Sequence, residues 1–168
     1  MNSVELLKAL VGFDTTSRES NLQLIEFVRD YLASFDVPCA LIYNDERSKA
    51  NLFATIGPQG VGGVVLSGHT DVVPVDGQAW SVDPFVMTER DGRLYGRGTA
   101  DDKGQLMTFI EACRAWKAVH GALHVGCRRT RVGREAGALF EHEADLVVPV
   151  DVVGRGRVQA QGQGQVAV

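Results

Sequence analysis

His69 and Asp71 stand two residues apart in Gly68-His69-Thr70-Asp71-Val72-Val73-Pro74, directly after the apolar run Val64-Val65-Leu66. Side chains two apart on an extended chain project to the same side. The imidazole and the carboxylate therefore point together, as they do where a carboxylate steadies the second ring nitrogen of a metal-binding histidine. Further along, Asp101 lies in Gly96-Arg97-Gly98-Thr99-Ala100-Asp101-Asp102-Lys103-Gly104, a glycine-rich bend leading into a helical stretch. It offers a second carboxylate from a second loop. A hydrolytic metal centre is the chemistry that this order of donors indicates. Each residue also has a plainer reading: His69 as an ordinary hydrogen-bonded histidine, Asp101 as a helix cap, Asp71 as a turn acceptor ahead of Pro74. These plainer readings do not predict one another, whereas the metal reading accounts for all three residues together.

The longer pattern Ser67-Gly68-His69-Thr70-Asp71-Val72-Val73-Pro74-Val75, then Trp80-Ser81-Val82-Asp83-Pro84-Phe85, then Gly92 through Gly104 resembles the metal-site core of the M20 family of zinc amidohydrolases and peptidases. Phe13 to Leu22 and Lys49-Ala50-Asn51-Leu52 extend the resemblance. Residues 1–101 are most similar to the acetylornithine deacetylase branch, in which Met usually stands where this chain has Asp102. Asp101-Asp102-Lys103-Gly104-Gln105-Leu106-Met107 is more similar to the dipeptidase branch.

The resemblance implies two Zn²⁺ ions (Co²⁺ as a substitute), a bridging Asp followed by a cis peptide bond, and a Glu that takes the proton of the bridging water. It assigns His69 as a ligand to one metal, Asp101 as the bridging ligand with the cis bond at Asp101–Asp102, and Asp71 as the catalytic residue that steadies His69. Glu135, in Gly133-Arg134-Glu135-Ala136-Gly137, takes a further ligand place, with Arg134 where the general base belongs. Arginine cannot serve as a base near neutral pH, because its pKa exceeds about 12. Asp151 resembles a later carboxylate ligand at a strand end. The implied reaction is removal of acetate from N2-acetyl-L-ornithine to give L-ornithine for arginine biosynthesis. The alternatives are a dipeptidase or another N-acyl-amino-acid hydrolase, and an inactive remnant of such an enzyme. The implied partners are a small N-acyl amino acid or dipeptide substrate and, in the family, a second subunit docked through a dimerisation domain that this sequence lacks.

Positioning these residues requires alternating helices and strands. Asn2 followed by Glu5 reads as a capping box before an apolar stripe of Val4, Leu7, Leu10 and Val11. Asn21 is placed to cap a second helix bearing Leu24, Val28, Tyr31, Leu32 and Phe35, ended before Pro38. Strands are expected at Ala40–Tyr43, Leu52–Ile56 and a buried Val64–Ser67, with a hairpin around Arg90-Asp91-Gly92 and a helix over Gly104–Val119. The fold class is α/β: an incomplete zinc-exopeptidase-like catalytic domain with a mixed sheet flanked by helices. The domain is expected over 1–153, best matched over 1–120, with 154–168 a disordered tail.

After His120 the composition shifts: residues 121–168 hold no lysine, six arginines and eight glycines, and end in a Gln/Gly alternation. An altered reading frame, a deletion or a fragment would each produce this change. Glu141-His142-Glu143 reads as a solvated helix face, and the arginines at 128, 129, 131 and 134 lack aromatic partners for nucleic acid. The 168 residues carry 45% hydrophobic and 23% charged residues at net charge −4, which argues against nucleic-acid or acidic-membrane partners. Glu5 and Lys8 interrupt the first apolar stretch, so neither a leader nor a membrane span is expected. Cys39, Cys113 and Cys127 are odd in number and widely spaced, which fits thiols of a cytoplasmic protein.

Overall fold

The computed structural model describes residues 1–56, 64–120 and 145–150. The chain runs α1 (Ser3–Val11), α2 (Leu22–Ala33), β1 (Cys39–Tyr43), β2 (Ala50–Ala54), β3 (Val64–His69), β4 (Thr88–Arg90), β5 (Arg93–Tyr95), α3 (Lys103–His120) and β6 (Asp145–Val150). Four strands form a mixed sheet in the order β1-β2-β6-β3. β2 pairs antiparallel with β1 and parallel with β6, and β6 pairs antiparallel with β3, setting Val64 opposite Val150 and His69 opposite Asp145. The α/β class and the mixed sheet are as expected from the sequence.

α1 begins with the expected capping box. Asn2 Oδ1 accepts the Glu5 N–H at 2.9 Å, and Glu5 Oε2 accepts the Asn2 N–H at 2.8 Å. Two otherwise orphaned helix donors are thereby satisfied. One core unites the three helices with the sheet: Leu6 and Leu10 of α1, Leu24, Ile25, Val28 and Leu32 of α2, Leu52 of β2, and Leu106, Ile110 and Cys113 of α3. Each such side chain contributes roughly 1.5–3 kcal/mol by leaving water. Met107 touches both this core and a smaller cluster of Leu7, Val11 and Met87.

Two expectations are corrected. Asn21 does not cap α2 with its side chain. Its amide is buried instead, donating to the Ala50 carbonyl at 2.9 Å and to Thr70 Oγ1 at 3.1 Å while accepting the Ala50 N–H at 3.0 Å. Ser20 Oγ takes over at the helix start by accepting the Leu22 N–H. A buried amide with three partners has more to lose than an exposed cap, so tertiary contacts decide its orientation. The second correction concerns β3. Val64 and Val65 are 47% and 52% exposed, not buried; among the described residues β3 is an edge strand, with β6 as its one neighbour.

β4 and β5 form the expected hairpin, with Asp91 and Gly92 at φ 54° and 69°. Positive φ at both central residues is the geometry of a two-residue type I′ turn. Cys113 is buried and Cys39 half-buried, and both are free thiols. Burial pushes them up to about 12 and about 11 respectively. Among the described residues, no helix is long and apolar enough to cross a membrane. Cys127, the Glu141–Glu143 cluster, the four arginines and the 154–168 tail lie outside the described residues.

Candidate metal site

β3 ends at His69, and α3 begins at Lys103, two residues after Asp101. Between the two, the structure brings the imidazole of His69 against both aspartates. Its Nδ1 lies 3.1 Å from Asp71 Oδ1 and 3.0 Å from the Asp71 carbonyl oxygen, and its Nε2 lies 3.1 Å from Asp101 Oδ1. Two acceptors face Nδ1 and favour a proton there, while Asp101 Oδ1 faces Nε2, where either a second proton or a cation would sit between them. Two bonds of about 2.1 Å to one cation can separate their donor atoms by no more than about 4.2 Å. The Nε2–Oδ1 distance falls within that limit.

The peptide bond between Asp101 and Asp102 is cis. Asp102, noted in the sequence as a departure from the deacetylase pattern, sits underneath the pair. It is 6% exposed, and its Oδ2 accepts the His69 N–H at 3.0 Å. A Cβ added at Gly68 would overlap that same carboxylate and come within 2.8 Å of Leu106 Cδ2, so a larger residue there would have to displace both side chains. The strand carrying His69 and the turn carrying Asp101 are thus in direct contact.

Lys103 is wholly buried, and its Nζ donates to the Phe13 carbonyl at 2.6 Å. Its aliphatic stem packs on Gly98, where φ is +87° and a Cβ would lie 3.0 Å from Lys103 Cδ. Residues 13–17 continue the frame. Thr15 Oγ1 donates to the Thr70 carbonyl at 2.6 Å, the Val72 N–H donates to the Thr15 carbonyl at 3.0 Å, and Thr16 forms a parallel bridge with Val72.

Electrostatics follow the packing. Burial works against protonation of His69, but hydrogen bonds to the Asp71 carbonyl and to Asp101, with the charges of Asp102 and Asp71, outweigh it and raise its pKa. Burial raises the Asp102 carboxyl, opposed by the His69 N–H it accepts. Burial lowers Lys103 to about 8, with the Asp14 charge acting the other way.

His69 Nε2 and the Asp101 carboxylate are a nitrogen and an oxygen donor of the kinds zinc takes. As a donor pair they fit one cation. Among the described residues, no group of three or more His, Cys, Asp or Glu side chains gathers around a common point. Glu135, Arg134 and Asp151 lie outside the described residues. Sequence reasoning did not find the support given by Asp102 and Lys103. One signal was available: a lysine in the first turn opposes the helix dipole, so it needs a reason beyond surface charge.

The helices and the mixed sheet define the class, an α/β fold. Structural likeness supports this. Human carnosine dipeptidase 1 superposes with a TM-score of 0.53 at 22% identity over 89% of this chain and 31% of its own. An M20 family metallo-carboxypeptidase, Sso-CP2 from Sulfolobus solfataricus, gives 0.56 at 16% identity over 90% and 31%. At such identities the likeness speaks for the fold alone.

Residues 65–127 match the model of Peptidase family M20/M25/M40. Acetylornithine deacetylase of Pasteurella multocida (strain Pm70) is 41% identical over 116 residues, covering 65% of this chain and 30% of the relative. Acetylornithine deacetylase of Shigella sonnei (strain Ss046) is 40% identical over 119 residues, covering 66% and 30%. The chain therefore spans 30% of the length of these curated relatives.

Proposed function

We propose that this chain carries the metal-binding front of an M20-type amide hydrolase, with His69 and Asp101 holding a shared zinc ion and Asp71 steadying His69. The observation that carries the reading is the 3.1 Å approach of His69 Nε2 to Asp101 Oδ1, with Asp71 against the other ring nitrogen. When bound, zinc supplies a water acidified to near neutral pH and a Lewis acid for the scissile carbonyl. The chain's own part is to keep the proton on Nδ1, to present Nε2 and the Asp101 carboxylate side by side, and to hold both loops through Asp102. The substrate reading is an N-acyl amino acid, N2-acetyl-L-ornithine first, supported by the 41% identity to an acetylornithine deacetylase. Asp102 and Gln105 favour a second reading, a dipeptidase of the same chemistry.

Glu135 and Asp151 complete the proposed ligand set, within a partial catalytic domain over 1–153. The proposed setting is cytoplasmic, with Co²⁺ able to replace zinc. Arg134 at the base position removes the group that would take the proton from water. General-base catalysis is worth about 10²–10⁴-fold, so this chain alone is expected to bind metal yet hydrolyse poorly. The test is calorimetric titration of the chain with Zn²⁺ or Co²⁺, together with acetate release from N-acetylornithine, beside a His69→Ala control. Zinc binding that survives His69→Ala sinks the site. Turnover near about 10 s⁻¹ that is abolished in the control would show that the base lies elsewhere.

A further inference from the structure

We propose that Ser17 is a positioning residue for the His69 imidazole: its hydroxyl holds one oxygen of Asp71 so that the other faces Nδ1. This rests on the reading of His69 as a metal ligand. Ser17 Oγ donates to Asp71 Oδ2 at 2.7 Å, while Asp71 Oδ1 lies 3.1 Å from His69 Nδ1. The alternative acceptor for the same proton, the Val72 carbonyl, is 3.4 Å away and loses to the shorter, charge-assisted bond. The carboxylate torsion of an aspartate is broad and roughly two-fold. One hydrogen bond to an imidazole therefore leaves it free to swing, whereas a second anchor on the other oxygen stops the rotation.

The anchor is itself held. The Ser17 N–H donates to the Val72 carbonyl at 3.1 Å, and Lys49 Nζ donates to the Ser17 carbonyl at 2.5 Å. Asp14 Oδ1 accepts from both the N–H and the hydroxyl of the neighbouring Thr16. Ser17 lies 54 positions from Asp71 and is exposed, so its hydroxyl buries nothing. An exposed hydrogen bond contributes little to folding, and orientation is what this one supplies. Ser17, Asp71 and His69 form a chain in which each group fixes the next, and the imidazole faces Asp101. Carboxylates behind metal-bound histidines typically influence affinity 10–100-fold. A hydroxyl one bond further out is expected to contribute about threefold to tenfold.

The experiment uses the full 168-residue chain with two readouts. Zinc affinity is measured by competition with a chromophoric chelator. The tautomer of His69 is read in the metal-free chain from long-range ¹H–¹⁵N spectra, at a pH where the ring is neutral. The wild type is expected to show the Nδ1–H tautomer dominant. Ser17→Ala is expected to weaken zinc binding about threefold to tenfold and shift the tautomer ratio towards Nε2–H, and Ser17→Thr to restore both. Unchanged affinity and unchanged tautomer ratio in Ser17→Ala would overturn the proposal. Should that variant not fold, an Nε2–H tautomer dominant in the wild type overturns it equally. A wild-type chain that takes no zinc sinks the metal reading instead, and the tautomer ratio still decides the role of Ser17.

Discussion

The two halves of the candidate pair are held in opposite ways. The His69 side chain is 38% exposed and meets Asp71 on one ring nitrogen, while its backbone N–H is tied to Asp102. Behind it stand Thr15, Thr16, Ser17 and Asn21, each bonded to residues 70–72. The Asp101 side chain is 82% exposed and among the described residues meets the imidazole, while the residues after it, Asp102 and Lys103, are buried. One donor is oriented through its side chain and the other through its backbone. The difference teaches that two loops can present a fixed imidazole and an adjustable carboxylate side by side, the arrangement that the proposed cation would require.

The comparison can be broken most severely at Lys103, the buried support of the Asp101 side. Lys103→Ala removes a long, wholly buried side chain and orphans the Phe13 carbonyl. It is expected to cost about 2–5 kcal/mol in urea denaturation. The same lysine gives a pH signature in the metal-free chain. Its folded pKa is about 8 against an ordinary 10.5, so between those values the unfolded chain binds more protons. Its contribution to stability should therefore rise as pH increases from about 8 to 10.5. Lys103→Met should flatten that slope, and an unchanged slope would exclude Lys103 as its source.

On the His69 side, Asn21→Ala should leave the Ala50 N–H and carbonyl without their partner. A loss of about 1–3 kcal/mol is expected, with weaker zinc binding as Thr70 loosens. At the contact between the halves, Gly68→Ala forces a methyl into the Asp102 carboxylate and Leu106. Overpacking of this kind costs about 1–3 kcal/mol, and zinc affinity should fall with it, since the overlap pushes the two loops apart. Smallest in stability is Asp101→Ala, expected within about 0.5 kcal/mol of wild type because the side chain is exposed. Zinc binding measured by calorimetry should nonetheless be lost. A large unfolding cost for Asp101→Ala would erase the contrast between the two donors.

Periodicity made the helices legible: Leu24, Val28 and Leu32 face the core of α2, and Leu106, Ile110 and Cys113 that of α3. The Asp91-Gly92 turn was equally plain, because few residue pairs tolerate positive φ at both positions. The exposure of Val64 and Val65 was not legible, since a short apolar run does not reveal whether its strand lies at an edge or in the middle. At the site, the approach of His69 to Asp71 followed from a spacing of two. The meeting with Asp101 depended on the longer motif, because nothing local links residues 69 and 101. Ser17, Asn21 and Lys103 were beyond sequence reasoning for a related reason. Each acts through a partner 29 or more positions away, and a serine or an asparagine in a polar segment looks like ordinary turn chemistry.

The bond from Lys103 to Phe13 spans 90 positions, and that from Ser17 to Asp71 spans 54. Local helices form in about a microsecond, but contacts across such separations wait for chain closure and slow folding as their share grows. The imidazole is therefore expected to be oriented late, once residues 13–17 have docked against the Val72 segment. During refolding, helical signal should return first and tight zinc capture last, so the metal would report the arrival of residues 13–17.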